Sequence, residues 1–309
     1  MNNSTIVKII LYVIFIIILL TFMIFTLFKR EFVFSFGDYD KVELHNEVYE
    51  MGDVGKLDVD LVSTDLTIKY SEDERIRVVI YGKEGRKDRY IISNENKSLK
   101  IEEKAYSSFC FGFCFYNEEV VVYLPESYSN DIDIKGTSGD INIMNDYYGK
   151  MNIQTVSGEI NVLDVGDIIA NSTSGDIMIN NAKDVDVNST SGEISIKSAN
   201  NVKAETTSGD INIGEASLID ANSTSGEVEI GKSGNVKVST ISGDVEIVDL
   251  TVMGESSINT TSGEVVVSNV NEVYVETKTT SGDLNIANSI RTSENILKIK
   301  TMSGDISVG

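Results

Sequence analysis

The sequence predicts an all-β protein: a single-stranded parallel β-solenoid (β-helix) of roughly ten or more coils, preceded by one N-terminal transmembrane helix. Three observations predict it. A tetrapeptide, Ser-Gly-Asp/Glu followed by a branched aliphatic residue, occurs ten times. Short runs of alternating apolar and polar residues flank each copy. A 20-residue uncharged run, Ile9 to Phe28, lies near the N-terminus.

The N-terminal elements come first. Residues 1–8 form a polar tail. Residues 9–28 are interrupted only by Tyr12, Thr21 and Thr26. At about 1.5 Å per helical residue the run spans roughly 30 Å, the thickness of a bilayer core. A cleaved signal peptide is the alternative, but the run is not succeeded by a small-x-small cleavage site; the chain reads Phe28-Lys29-Arg30-Glu31. The expectation is a single-pass anchor in a bacterial cell membrane. Lys29 and Arg30 alone would place the repeat domain inside the cell. A lone N-terminal anchor ahead of a long polar domain acts as an export signal, so the repeat domain is expected outside the cytoplasm.

Residues 29–54 read as a juxtamembrane linker with some β character. Residues 55–130 read as an irregular β section of degenerate first coils. Leu57, Val59 and Leu61 alternate with Asp58 and Asp60, and Ser63-Thr64-Asp65-Leu66-Thr67-Ile68 resembles a repeat that lacks its glycine. Pro125, the only proline, closes this section.

Residues 131–309 carry the repeats. Their glycines are Gly139, Gly158, Gly175, Gly192, Gly209, Gly226, Gly243, Gly263, Gly282 and Gly304. The steps from Gly158 to Gly243 are 17 residues each. A unit that short has no room for a crossover helix and suits one solenoid coil. Side chains on a strand alternate faces. Val185, Val187, Ile194 and Ile196 should therefore point inward. Shifting by 17 gives Val202, Ala204, Ile211 and Ile213, then Ile219, Ala221, Val228 and Ile230, then Val236, Val238, Val245 and Ile247. Every position stays apolar. The glycines are expected as structural corners with positive φ.

Composition narrows the function. A net charge of −22 excludes a phosphate-tracking surface, so nucleic acid is not a partner. The acidic position after the glycine alternates Asp and Glu from Asp140 to Asp283, and Asp305 breaks the order. Alternating chain length argues against a tuned calcium site and leaves weak, unselective divalent-cation binding. No resident metal or cofactor is expected. The column Ser172, Ser189, Thr206, Ser223 and Thr240 reads as hydroxyls capping the corner backbone, with a glycan-binding strip as the alternative. Nothing resembles a catalytic constellation, and His45 is the only histidine. The chain is read as non-enzymatic.

One segment stands outside the repeat. Tyr106 to Tyr116 places Phe109, Phe111, Phe113 and Phe115 around Cys110 and Cys114. Gly112 suggests a tight hairpin in which the cysteines form a disulfide. The aromatics either pack over the first coil or make a membrane or protein contact. At the other end the last coil stops in mid-strand. Ile306 and Val308 are expected on an open edge that takes a protein partner's strand or a second copy, tail to tail.

The segments Thr137–Ile141, Thr173–Ile177, Glu119–Pro125 and Leu57–Ile68 resemble the bacterial "putative adhesin" or Toastrack family of cell-envelope β-solenoids. The resemblance covers 55–309. It implies a membrane-tethered envelope protein acting as a surface scaffold or protein-interaction module, in adhesion or in envelope-stress signalling. It supplies no catalytic residues, and the cysteine hairpin is not part of it. Alternatives are an adhesin binding glycan or a host surface, and an assembly-forming β-helix like the bactofilins.

Overall fold

The structure is a computed structural model that describes residues 41–105, 118–287 and 289–309. The expected anchor, 9–28, and the hairpin with Phe109, Cys110, Phe111, Phe113, Cys114 and Phe115 lie outside the described residues. No helix among the described residues is long and apolar enough to cross a membrane. Residues 41–105 and 118–309 belong to one compact body, and its strands join in a single sheet of 22.

The sheet winds into a solenoid because like residues stack on like. Ile177, Ile194, Ile211, Val228 and Val245 form one parallel column. Val185, Val202, Ile219 and Val236 form the facing one. All sixteen positions expected inward in this region are buried, none more than 4% exposed. Each buried Val or Ile side chain contributes about 1.5–3 kcal/mol. A one-residue slip would turn the whole column to solvent.

The corner glycines are required for a different reason than expected. Among the described residues only Gly85 and Gly254 are glycines with positive φ. The corner glycines are needed because coils stack there backbone to backbone. A Cβ on Gly209 would sit 2.0 Å from the carbonyl oxygen of Gly192, and one on Gly226 would sit 1.8 Å from that of Gly209. The column is a close approach, not a left-handed turn.

Coil order in space departs from chain order at both ends. At the N-terminal end, 56–70 lies between 98–124 and 131–143. Leu57 pairs with Leu99 on one side and Ile132 on the other. Leu66 likewise pairs with Val120 and Ile141. At the C-terminal end the chain passes over one level, builds the Gly282 coil, and returns to fill the gap. Ile306 pairs with Val265 below and Leu284 above. Ile299 pairs with Ile258 and with Thr277. Among the described residues twelve levels result, beginning with the strands Ser98–Glu103 and Glu119–Leu124 and ending with Tyr274–Lys278 and Leu284–Ile286.

This overturns the reading of the C-terminal edge. Ile306 and Val308 are each 1% exposed and paired on both sides. They cannot take a partner strand. The uncovered level is the Gly282 coil, where Leu284 is 49% exposed.

The opposite end is closed. Arg75–Gly82 pairs antiparallel with Glu119–Leu124, and Val42–Glu50 pairs antiparallel with Arg75–Gly82. Tyr90–Glu95 covers Ser98–Glu103 in the same way. Residues 42–50, read from sequence as part of a linker, are the outer strand of this cap.

Candidate functional site

Two polar assemblies are built on this frame: the glycine corner, repeated at each level, and a buried cluster where the capped end lacks that corner.

At the corner the hydroxyl column is consumed by the backbone. Ser189 Oγ, Thr206 Oγ1 and Ser223 Oγ accept the N–H groups of Gly192, Gly209 and Gly226 at 2.9, 3.0 and 2.8 Å. Thr240 Oγ1 instead donates to the Gly243 carbonyl at 2.7 Å. These are the bonds that keep buried corner amides satisfied.

The acidic column is also tied in, and its alternation has a cause. Each Asp accepts, through Oδ1, the N–H of the acidic residue one level on. Asp140 takes Glu159, Asp176 takes Glu193, Asp210 takes Glu227 and Asp244 takes Glu264, all at 2.8–3.0 Å. The Asp side chain is the right length for this local bond, and the Glu side chains project outward. The pattern ends at the uncovered coil, where Asp283 N–H donates to Asp305 Oδ1 at 2.8 Å.

The projecting carboxylates crowd where no cation balances them. Glu227, Glu229 and Glu246 have oxygens within 4.8 Å of one another, all on exposed side chains. Partial burial raises the Glu227 pKa, and the charges of Glu229, Asp244, Asp210 and Glu246 add to the rise. With one oxygen from each, the three exposed carboxylates bring together three of the six to eight oxygens that calcium takes.

The buried cluster sits at the capped end of the stack. Glu103 ends one strand, Glu118 precedes the next, and their side chains are 0% and 1% exposed. Glu103 Oε2 accepts the N–H groups of Val62, Ser63 and Thr64 at 2.7, 3.0 and 3.2 Å. Arg89 bridges the two acids, pairing with Glu103 Oε1 and reaching Glu118 Oε2 at 3.0 Å. Arg86 Nη1 lies 3.0 Å from Glu118 Oε1. Tyr90 OH donates to Glu118 Oε2 at 3.0 Å and lies 2.8 Å from Thr64 Oγ1. Burial first, then these two carboxylates, hold the Tyr90 phenol well above its ordinary pKa.

The cluster has a structural logic. In regular coils the corner N–H groups meet carbonyls of the level below, as Ser191 N–H meets Thr173 O at 3.0 Å. At 62–64 these N–H groups turn instead to a side chain. The Glu103 carboxylate supplies the missing acceptors. The carbonyl beneath this corner, that of Glu118, accepts the Asp65 N–H at 3.2 Å. Sequence reasoning singled out the aromatics and cysteines of the Tyr106–Tyr116 segment and missed Arg86, Arg89, Tyr90, Glu103 and Glu118. The available signal was the pair of acidic dipeptides, Glu102-Glu103 and Glu118-Glu119, flanking it. His45 borders the cluster: its ring stands edge-on to that of Tyr90, centroids 6.5 Å apart, and its Nε2 lies 3.1 Å from the Lys87 carbonyl oxygen.

A model of the Toastrack DUF4097 family matches residues 54–309. No curated protein matches. Solved structures that resemble the chain include a putative adhesin from Parabacteroides merdae, 14% identical, covering 84% of this chain and 95% of that one with a TM-score of 0.40. A putative adhesin from Parabacteroides distasonis is 14% identical over 88% and 98% of the two chains, TM-score 0.40. A protein from the same organism described as a putative lipid binding protein is 13% identical over 84% and 96%, TM-score 0.32.

Proposed function

Because the chain belongs to the Toastrack DUF4097 family, we propose that it is a membrane-tethered surface protein whose β-solenoid serves as a non-enzymatic scaffold or protein-interaction module. The observation that carries this reading is where the chemistry-bearing side chains are spent. The Ser/Thr column caps glycine amides and the Asp column bonds the next level. Residue types that serve as nucleophiles and bases elsewhere are here the mortar between coils. What remains outward is a periodic ridge that includes exposed Thr173, Thr190, Thr207 and Thr224. Such a ridge suits contact with an extended partner rather than turnover of a small substrate. The apolar run 9–28 supplies the tether and the export signal.

Shaving intact cells with protease tests the arrangement. The body should be released or cut outside, while an N-terminal tag stays with membranes after alkaline washing. A body protected in intact cells and cut only after lysis overturns the reading. Glycan binding is the second reading, favoured by the exposed threonine ridge. A glycan array on the purified chain, beside a variant with Thr190 and Thr207 changed to Glu, separates it from protein contact.

A further inference from the structure

We infer that the uncovered coil docks a second copy of this chain, tail to tail, through antiparallel pairing of Leu284–Ile286 with its own symmetry mate.

Among the described residues every other level is covered on both sides. The inward column through Val245, Val265 and Ile306 is at most 1% exposed, yet Leu284 in the same column is 49% exposed. No strand among the described residues pairs with the outer side of Leu284–Ile286. The carbonyl of Asp283 and the N–H of Ala287 face the Ile306–Val308 strand. By strand alternation the polar backbone groups of Leu284 and Ile286 face outward. The facing wall is partly closed already. Ser289 Oγ accepts the Val275 N–H at 3.1 Å, and Ile290 N–H donates to Val273 O at 2.8 Å. The return segment thus covers the start of Tyr274–Lys278 and leaves Leu284–Ile286 bare. This strand carries no charge or proline of the kind that guards an edge.

Three features point to a second copy as the occupant. A two-fold axis at Asn285 sets Leu284 against Ile286 of the mate, apolar to apolar, in hydrogen-bonded pairs. It also separates the acids. Asp283 would face Ala287, and the two Asp283 carboxylates would lie about 14 Å apart, beyond a Debye length of about 8 Å. A parallel continuation would instead stack another corner on Asp283. Lastly, among the described residues the outermost strands at the capped end, Val42–Glu50 and Tyr90–Glu95, are joined antiparallel, so they do not continue the parallel stack that head-to-tail growth would extend. The first described strand, Val42–Glu50, is at the capped end. A tail-to-tail pair therefore carries its two Val42–Glu50 strands at opposite extremes. The membrane tether proposed above, on which this last step rests, then assigns the two chains to facing surfaces.

Disulfide trapping tests the pairing itself, tether or not. In full chain purified in detergent, with Cys110→Ser and Cys114→Ser, Asn285→Cys is placed at the axis. Residues at a non-hydrogen-bonded antiparallel pair have Cα atoms about 4.5 Å apart, within disulfide reach. Mild oxidation should convert most of the protein to covalent dimer. Met178→Cys, in the same outward column at mid-stack and exposed, should stay monomeric. Adding Leu284→Lys with Ile286→Lys should abolish the N285C dimer. Leu284→Pro should do the same by removing one outward N–H, and it serves where the lysine pair fails to fold. No dimer from N285C, as much dimer from M178C, or a dimer that survives every folded edge variant would overturn the inference.

Discussion

At the capped end the inward residues of the terminal level, Val120 and Val122, are 0% exposed; at the open end their counterpart Leu284 is 49% exposed. Both ends are made by the same manoeuvre. At the capped end the chain lays the second level, 56–70, then the outermost, 98–124, and skips to the third, 131–143; at the open end the same crossing runs in reverse, skipping a level and returning to fill it. The capped end then adds antiparallel strands and two buried carboxylates held by two half-buried arginines. The open end adds only the 287–295 return. Closure of a solenoid is thus a matter of what is laid over the last coil, not of how the chain reaches it. The closed end spends ion pairs and long-range strands on stability, and the other end keeps an edge for contact.

The largest expected effect separates observed coil order from chain order. Ile306→Asp puts a carboxylate into a column that is covered above and below, and should prevent folding or cost more than about 4 kcal/mol. Leu284→Asp should cost about 1 kcal/mol or less, since its side chain already meets water. If coils stacked in chain order, the tolerances would be reversed. Thermal melts of the two variants decide it, and a tolerant position 306 beside an intolerant 284 would sink the topology.

Next comes the cluster that has no counterpart at the open end. Arg89→Ala leaves Glu103 and Glu118 buried with their shared cation gone, which should cost about 3–5 kcal/mol. Hydrogen exchange should localise the loss to Val42–Glu50, Arg75–Gly82 and Tyr90–Glu103, with the 177–247 coils unmoved. Uniform loosening of the whole stack would mean that the cap and the repeats are a single cooperative unit.

A smaller effect sharpens the corner argument. Gly209→Ala forces a Cβ against the Gly192 carbonyl with coils on both sides, and should cost about 1–3 kcal/mol or more. Gly282→Ala meets the Gly304 carbonyl at 2.1 Å in the same way. Its coil has nothing above it and can lift, so the cost should be lower. Equal costs in a denaturant titration would show that the terminal coil is as rigid as the middle.

Sequence carried the repetitive part of this fold and lost the ends. The inward columns from Val185 to Ile247 were legible because stacking copies the same constraint every 17 residues. The return crossings were not legible, because Ser281-Gly282-Asp283-Leu284 and Ser303-Gly304-Asp305-Ile306 satisfy that constraint equally at either level. One trace did exist. Thr64 stands where the regular coils carry glycine, which marks this coil as lying outside the regular stack. The positive-φ reading failed because glycine at a tight corner and glycine under a stacked carbonyl look alike in sequence. The Arg86–Arg89–Glu103–Glu118 cluster was hidden because its members come from both sides of a long insertion and share no period.

The smallest expected effect concerns charge, and it again divides the molecule. At the capped end carboxylates meet cations: Glu103 and Glu118 meet Arg89, and Asp133 meets Lys56 at 2.5 Å. Toward the open half, Glu227, Glu229 and Glu246 meet one another. The folded state raises the Glu227 pKa, through partial burial first and neighbouring acids second. A raised carboxyl pKa means that the folded state holds the proton more tightly than the unfolded chain does. Its contribution is therefore fully present below the ordinary glutamate range and is lost as pH rises through the folded value. Near neutral pH the three charges should strain the open half, and Glu227→Gln should relieve that strain. Since the side chains are exposed and screened, the gain should be no more than about 0.5 kcal/mol. It should vanish at a pH near 4 and shrink in high salt. Millimolar magnesium or calcium should give the wild type a similar small rise in melting temperature and give E227Q less, since either ion would only neutralise the cluster. A selective, large calcium response would instead reveal a built site at Glu227, Glu229 and Glu246. No difference between wild type and E227Q at any pH would show that the crowding has no energetic consequence, leaving the two ends distinguished by their strands and ion pairs alone.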